Sequence, residues 1–320
     1  MANTHFWNLS SGAHIGYIHL AAKGPRKSYP IIYLHGGPGG VITEKTIHML
    51  RPFAEEGYDI YAYDQIGSGS SDRLDDIKEY TAERHKLDLL EIVEKLATKK
   101  VIIIGQSWGS VLATLFAVDH PNRVARIIMT SPGPIFPLHK SVSKLKAPDS
   151  LNLKAPLLSN QEGNKAVYTF RDKCIMKYAY AFGNKLVPDK EGDDFFTLLN
   201  SSLSRSTVRD TSLLAESSGG GGYYAHIMTL KSLIVLENPR EKMKKTKVPV
   251  LIMKGQYDHQ KWGFTHEYFQ HFQNAQLKII PNAGHDIHLE QTELYYREIK
   301  EFLRNKSVNS TMQNAFYGQL

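Results

Sequence analysis

The segment Gly105-Gln106-Ser107-Trp108-Gly109 joins an apolar run at 101–105 to a helical pattern over 108–118. A serine on such a sharp strand-to-helix turn is pushed out above a sheet with its hydroxyl exposed. The glycines two residues either side are required because a Cβ there would strike the neighbouring strand and helix. The N–H of Trp108 would lie at a helix N-terminus, where the partial positive charge can meet a developing oxyanion. The motif by itself also fits an ordinary strand–loop–helix crossover. Further groups decide between the two, because a serine hydroxyl at neutral pH is a poor nucleophile and needs a base with an orienting acid.

Both follow in the chain order serine, acid, histidine. Asp258 comes just after the strand-like stretch 248–253 and the residues Lys254 to Tyr257. His285 ends Pro281-Asn282-Ala283-Gly284-His285, directly after the strand-like 276–280. Taken singly, Asp258 reads as a loop cap and His285 as a surface histidine. Taken together, all three fall at the strand ends where open α/β sheets gather their ligands. Other histidines compete for the role of base. His259 abuts the acid and cannot easily turn back to it; His266 and His271 fall in a helical stretch; His288 is three residues past His285. No H-E-x-x-H or similar spacing supplies a third metal ligand, so no metal is expected.

The second oxyanion donor is expected from His35-Gly36-Gly37-Pro38-Gly39-Gly40, with Gly37 as the donor. Glycine lets a backbone N–H approach a carbonyl oxygen closely. The loop lacks the G-K-[ST] ending of a phosphate loop and does not space as G-x-G-x-x-G, so no nucleotide cofactor is expected either.

These residues need a sheet to hold them. Strand and helix patterns alternate through the first part of the chain, with strands at 14–21, 31–35, 59–63, 101–105 and 124–130, which predicts a mostly parallel sheet flanked by helices. A helix over 81–99 has Thr81 as N-cap and Leu87, Leu90, Val93 and Leu96 on one face, widened by Leu89 and Ile92. The alternation breaks between 132 and 239, then resumes with strands at 248–253 and 276–280 and a closing helix over 291–303. This predicts a core of 1–132 and 240–320 with an inserted, mainly helical cap at 133–239. Gly219 to Gly222 reads as a mobile loop tip or a hinge, and 305–320 as a frayed end.

Composition narrows the rest. Of 320 residues, 42% are hydrophobic and 22% charged, ordinary for a globular enzyme. The net charge of +7 comes from 39 Lys and Arg against 32 Asp and Glu. Its densest run is Lys242, Lys244, Lys245 and Lys247, with no nucleic-acid-binding motif beside it, so a solvated surface segment is expected. The single Cys174 cannot form an intramolecular disulfide and reads as a half-buried apolar residue. There is no secretory pattern at the start and no apolar run approaching about 18 residues, so a cytoplasmic protein without a membrane span is expected.

HGGPGG, the segment Asp64-Gln65-Ile66-Gly67-Ser68-Gly69-Ser70-Ser71-Asp72, GQSWGS, GQYD and AGH together resemble the proline iminopeptidase group of α/β-hydrolases. The resemblance implies an α/β-hydrolase fold with an inserted helical cap and an enzyme that releases an N-terminal residue, often proline, from peptides or amides, so a small-molecule or short-peptide substrate is expected as its partner. By position it implies Ser107, Asp258 and His285 as the triad, and Gly37 and Trp108 as oxyanion donors. This chain departs from the pattern in three places. Ile66 stands where many members carry Arg, the predicted cap holds no Trp, and His259 occupies a place where a carboxylate can grip the substrate's free amine. Glu162, Glu191, Glu216 and Glu237 are alternative carboxylates, and Glu216, Glu237 and His259 are taken as the substrate-binding candidates. A carboxylesterase or lactonase, and a non-catalytic binder on the same scaffold, remain the other readings.

Overall fold

The computed structural model describes residues 3–214, 217 and 219–305. Eight strands form one sheet in the order β1-β2-β4-β3-β5-β6-β7-β8. They are β1 (Thr4–Asn8), β2 (His14–Leu20), β3 (Ile31–Leu34), β4 (Ile60–Tyr63), β5 (Val101–Gln106), β6 (Val124–Thr130), β7 (Val250–Gly255) and β8 (Ala275–Ile280). The pairings from β4 through β8 are parallel, while β1 and β2 are attached antiparallel at one edge. β3, β5 and β7 are almost wholly apolar and buried, as strands covered on both faces must be. Lys254 in β7 is the exception, a lysine as deeply buried as its apolar neighbours.

Helices cover both faces: α1 (Glu44–Glu55), α2 (Ala82–Lys95), α3 (Trp108–Asp119), α4 (Asn160–Val167), α5 (Phe170–Phe182), α6 (Asp189–Ser204), α7 (Tyr223–Ser232), α8 (Arg240–Lys245), α9 (Trp262–His271), α10 (Ile287–Glu290) and α11 (Thr292–Arg304). Thr81 caps α2 as expected, accepting from the Arg84 N–H. Of the expected face, Leu89, Ile92 and Val93 are buried and Leu90 and Leu96 pack against the core, whereas Leu87 is half exposed. Ala82, His85 and Asp88 face inward as well: His85 bonds Thr229 on α7 and Asp88 pairs with Arg84.

The helical insert α4–α6 leaves the sheet after β6 and the chain returns before β7. Its two crossings are clasped by Arg240, a buried guanidinium that donates to Ile135 O, Pro137 O, Asn238 and the buried Glu267 carboxylate. The glycine run is not a loop tip. Gly220 O accepts from Gly69 N at 2.7 Å, Gly222 N donates to Gly39 O at 2.8 Å, and a Cβ on Gly222 would meet Gly67 O at 1.8 Å. Gly222 is needed for close backbone contact, and Gly219 and Gly220 for their φ of 77° and 84°. Of the end expected to fray, 306–320 lies outside the described residues. Among the described residues no helix is long and apolar enough to cross a membrane.

The turn into α3 tolerates nothing larger than glycine at position 109, where a Cβ would come within 2.1 Å of Leu34 O. Backbone cannot yield as a side chain can, so Gly109→Ala should lose about 2 kcal/mol or more of unfolding free energy, measured by urea denaturation.

Candidate active site

Between β5 and α3, Ser107 adopts φ 51° and ψ −114°, a conformation that L-residues rarely take and that is held only by its surroundings. Gly105 and Gly109 provide those surroundings, since a Cβ on Gly105 would lie 2.5 Å from Gly109 O. Ser107 N donates to Thr130 O at the end of β6, and Ser107 O accepts from Ser110 N and Gly133 N. The turn is therefore pinned on both sides.

Asp258 and His285 come together from the ends of β7 and β8. His285 Nδ1 lies 2.8 Å from Asp258 Oδ1 and both residues are buried. Asp258 Oδ1 also accepts from Gln260 N at 3.0 Å, and Oδ2 accepts from Lys254 Nζ at 3.0 Å. Burial alone would raise the Asp258 carboxyl. The Lys254 ammonium and the His285 ring override it and hold the group far below the ordinary carboxylate range. Burial alone would likewise lower His285, but the Asp258 charge and hydrogen bond, with Asp286 behind them, leave its net value raised. Ser131 Oγ fixes the histidine's backbone by donating to His285 O at 2.8 Å.

Ser107 and His285 line one cleft of about 440 Å³ together with Gly36, Gly37, His259 and Asp286. Its far wall belongs to the insert: Tyr168, then Phe196, Leu199, Asn200, Leu203 and Ser204 of α6, then Thr207. Gly37 has φ 118° and a Cβ on it would lie 2.7 Å from Gly40 N, so only glycine forms this turn. Trp108 buries its indole, whose Nε1 donates to Gln65 Oε1 at 2.7 Å, while Gln65 Nε2 donates to His35 O at 3.1 Å. One glutamine thus locks the glycine loop to the serine turn. Burial lowers the His35 ring despite its Gly36 bond and the Asp64 charge, and its other nitrogen accepts from Gln65 N at 3.0 Å.

The substrate-binding candidates separate. His259 lines the cleft, its ring centroid 4.4 Å from that of His285, and its Nδ1 lies 3.2 Å from Ser206 O and 4.0 Å from Asp258 Oδ1. It is thus a neighbour of the base and not its replacement. Glu237 is a correction: it is largely exposed, pairs with Lys242 and sits at a different hollow beside α2 and α8, because the chain has left the insert before reaching it. Glu162 is tied to Ser159 and Glu191 to Arg171, both away from the cleft lining. Glu216 lies outside the described residues. Of the competing histidines, His266 stands beside Trp262, His271 bonds Glu267 O, and His288 lies near Tyr295.

Asp258, His259 and His285 bring their possible ligand atoms within 4.8 Å of one another. Those atoms are already committed: both Asp258 oxygens accept hydrogen bonds and His259 Nδ1 faces Ser206 O. The set therefore offers a cation little.

Several supporting residues escaped the sequence reading. Gln106 accepts from Tyr33 OH and donates to Asp286 Oδ1 at 2.5 Å, and Asp286 Oδ2 accepts from Thr207 Oγ1 at 2.7 Å. Glu290 accepts from Gly284 N with one oxygen and from Arg209 N and Asp210 N with the other. Residues 206–210 of the insert are thereby strapped to the loop that carries His285. Neither acid stands in a motif. Lys254 did leave a trace, as the one charge inside VLIMKG and four residues before Asp258.

A model of the α/β hydrolase fold matches residues 29–292 of the chain. A Bacillus subtilis (strain 168) protein, provisionally named a 2-succinyl-6-hydroxy-2,4-cyclohexadiene-1-carboxylate synthase, is 24% identical over 285 residues, covering 89% of this chain and 93% of its own length. A proline iminopeptidase of Lactobacillus crispatus (strain ST1) is 26% identical over 299 residues, covering 90% and 94%. Among solved structures, an esterase from Exiguobacterium antarcticum superposes with a TM-score of 0.63 at 18% identity, covering 95% of this chain and 100% of that one.

His259 is pushed down from the ordinary histidine value of 6.5 to about 4, by burial first and the His285 charge second. A histidine depressed on folding binds fewer protons than its unfolded form between those two values. Its contribution is fully present above pH 6.5 and lost as pH falls towards 4, a change on the order of 3 kcal/mol. His259→Gln should therefore lose less stability than the parent between pH 7 and pH 4, measured by urea midpoints across that range.

Proposed function

This chain belongs to the α/β-hydrolase family, and from that premise we propose that it is a serine hydrolase working through an acyl-enzyme, with Ser107 as nucleophile, His285 as base and Asp258 as its orienting acid. The observation that carries the reading is the buried Asp258–His285 pair at 2.8 Å, sharing one cleft with a strained serine on a strand-to-helix turn. Ser107 Oγ attacks a carbonyl carbon while His285, bonded to Asp258 through Nδ1, takes the hydroxyl proton on Nε2. The main-chain N–H groups of Gly37 and Trp108 hold the negative oxygen of the tetrahedral intermediate. His285 returns the proton to the leaving group, and a water molecule repeats the sequence to free the acid and restore Ser107. The scheme needs no cofactor.

Two substrate readings follow. Relatives named proline iminopeptidase support release of an N-terminal residue, with the insert gripping a free amine. A specific observation favours the second, an ester or lactone with an uncharged acyl group. Among the described residues lining the cleft, the only carboxylate is Asp286, and its two oxygens already accept from Gln106 and Thr207. His259, depressed to about 4, is neutral at pH 7 and cannot balance an ammonium group. The wall contributed by the insert sets Tyr168, Phe196, Leu199 and Leu203 beside the uncharged Asn200, Ser204 and Thr207, which suits an uncharged acyl group. Haloalkane dehalogenase chemistry is disfavoured, because it needs a carboxylate nucleophile where this chain has Ser107.

A panel of Pro- and Ala-arylamides against short aryl esters separates the two, and esters are expected to turn over faster. Release of aminoacyl arylamides with esters untouched would reverse the assignment. Ser107→Ala and His285→Ala should each lower kcat on the order of 10⁶-fold, by analogy with a protease triad. Asp258→Asn should cost roughly 10⁴-fold. Failure of a fluorophosphonate probe to label Ser107 in folded protein would leave a non-catalytic binder as the better account.

A further inference from the structure

We infer that Lys254 is a positioning residue for the reaction: its ammonium holds the far oxygen of Asp258, so that the near oxygen is aimed at His285. The inference rests on the triad reading above. Lys254 Nζ lies 3.0 Å from Asp258 Oδ2 and 2.7 Å from Gln260 O. The Lys254 side chain is 2% exposed and that of Asp258 is 0% exposed. The ammonium therefore spans the turn that follows β7 and fixes both of its ends. A lysine near the end of an otherwise apolar strand is costly to bury. What it touches is the acid and the backbone of the turn that presents the acid.

The arrangement divides the carboxylate's work between its oxygens. Oδ2 faces a fixed cation. Oδ1 takes His285 Nδ1 and the Gln260 N–H. Without the lysine, the carboxylate plane could turn about its Cβ–Cγ bond and lose its alignment with the imidazole N–H. The same cation also opposes the stabilisation of protonated His285. The charged and titratable groups facing that ring are Asp258 and Asp286, which favour its protonation, and Lys254 and His259, which oppose it. Removing Lys254 therefore shifts the balance toward protonated base.

The test measures the rate of fluorophosphonate labelling of Ser107 against pH in full-length parent, Lys254→Met, Lys254→Arg, Asp258→Asn and the Lys254→Met/Asp258→Asn pair. Lys254→Met should label roughly 10- to 100-fold more slowly at neutral pH, the size expected for a catalytic group misplaced by about an ångström. The acid limb of its pH profile should move to higher pH, which a merely structural residue would not cause. Lys254→Arg, which keeps the charge, should bring the limb back toward the parent position. In the Asp258→Asn background, Lys254→Met should slow labelling no further. That pair removes both charges together and so stays informative where the single variant folds poorly. An unmoved acid limb with parent-like labelling in Lys254→Met, or a further tenfold loss in the double variant, would overturn the role of Lys254 alone. A parent protein that does not label would instead remove the triad reading on which it rests.

Discussion

The structure turns on one buried negative charge. Asp258 has no contact with solvent, and an isolated carboxylate in that position would be expelled or neutralised. It persists because three donors from different pieces of backbone converge on it: the Lys254 ammonium from inside β7, the Gln260 N–H from the turn beyond, and the His285 ring from the loop after β8. The first two are local to β7 and its turn; the third depends on the parallel pairing of β7 with β8, which sets Gly255 against Ile280 and so brings the two loops out side by side. Losing one partner of such a pair typically costs 3–5 kcal/mol, which is why this corner must be built with little freedom.

The same economy governs the serine turn. Its strain is not stored in the serine alone; it is imposed by Gly105 and Gly109, by the Thr130 and Gly133 backbone, and by Gln65, which fastens the indole of Trp108 to the glycine loop. Ser107, Gly37 and His285 thus sit at three strand ends, while the insert lends the cleft its facing wall and, through Thr207, a hydrogen bond to Asp286 beside His285.

Much of this was legible in the residues. The glycines around Ser107, and the order Ser107, Asp258, His285, have a steric or chemical reason that does not depend on distant contacts, and the alternation of apolar strands and helices fixed which edge they share. What could not be read depends on which side chains meet across the fold. Leu87 is half exposed while His85 and Asp88 have partners inside, and nothing in the helical period announces that. Glu237 looked like a cap carboxylate, but the chain has already turned toward α8 and Lys242 before reaching it. The run Gly219 to Gly222 resembled a hinge because glycine frees a backbone, yet here it admits close packing against Gly39 and Gly67. Lys254 shows the intermediate case: its charge in an apolar strand was visible, but its purpose needed the position of Asp258.

The strap at 206–210 has a mechanical consequence. Thr207 is bonded to Asp286 through both backbone and hydroxyl, Arg209 and Asp210 share the Glu290 carboxylate with Gly284, and Ser206 O faces His259. Swinging the whole insert outward like a door would tug directly on Gly284 and Asp286, the residues either side of His285, so along this side the strap acts as a fixed jamb.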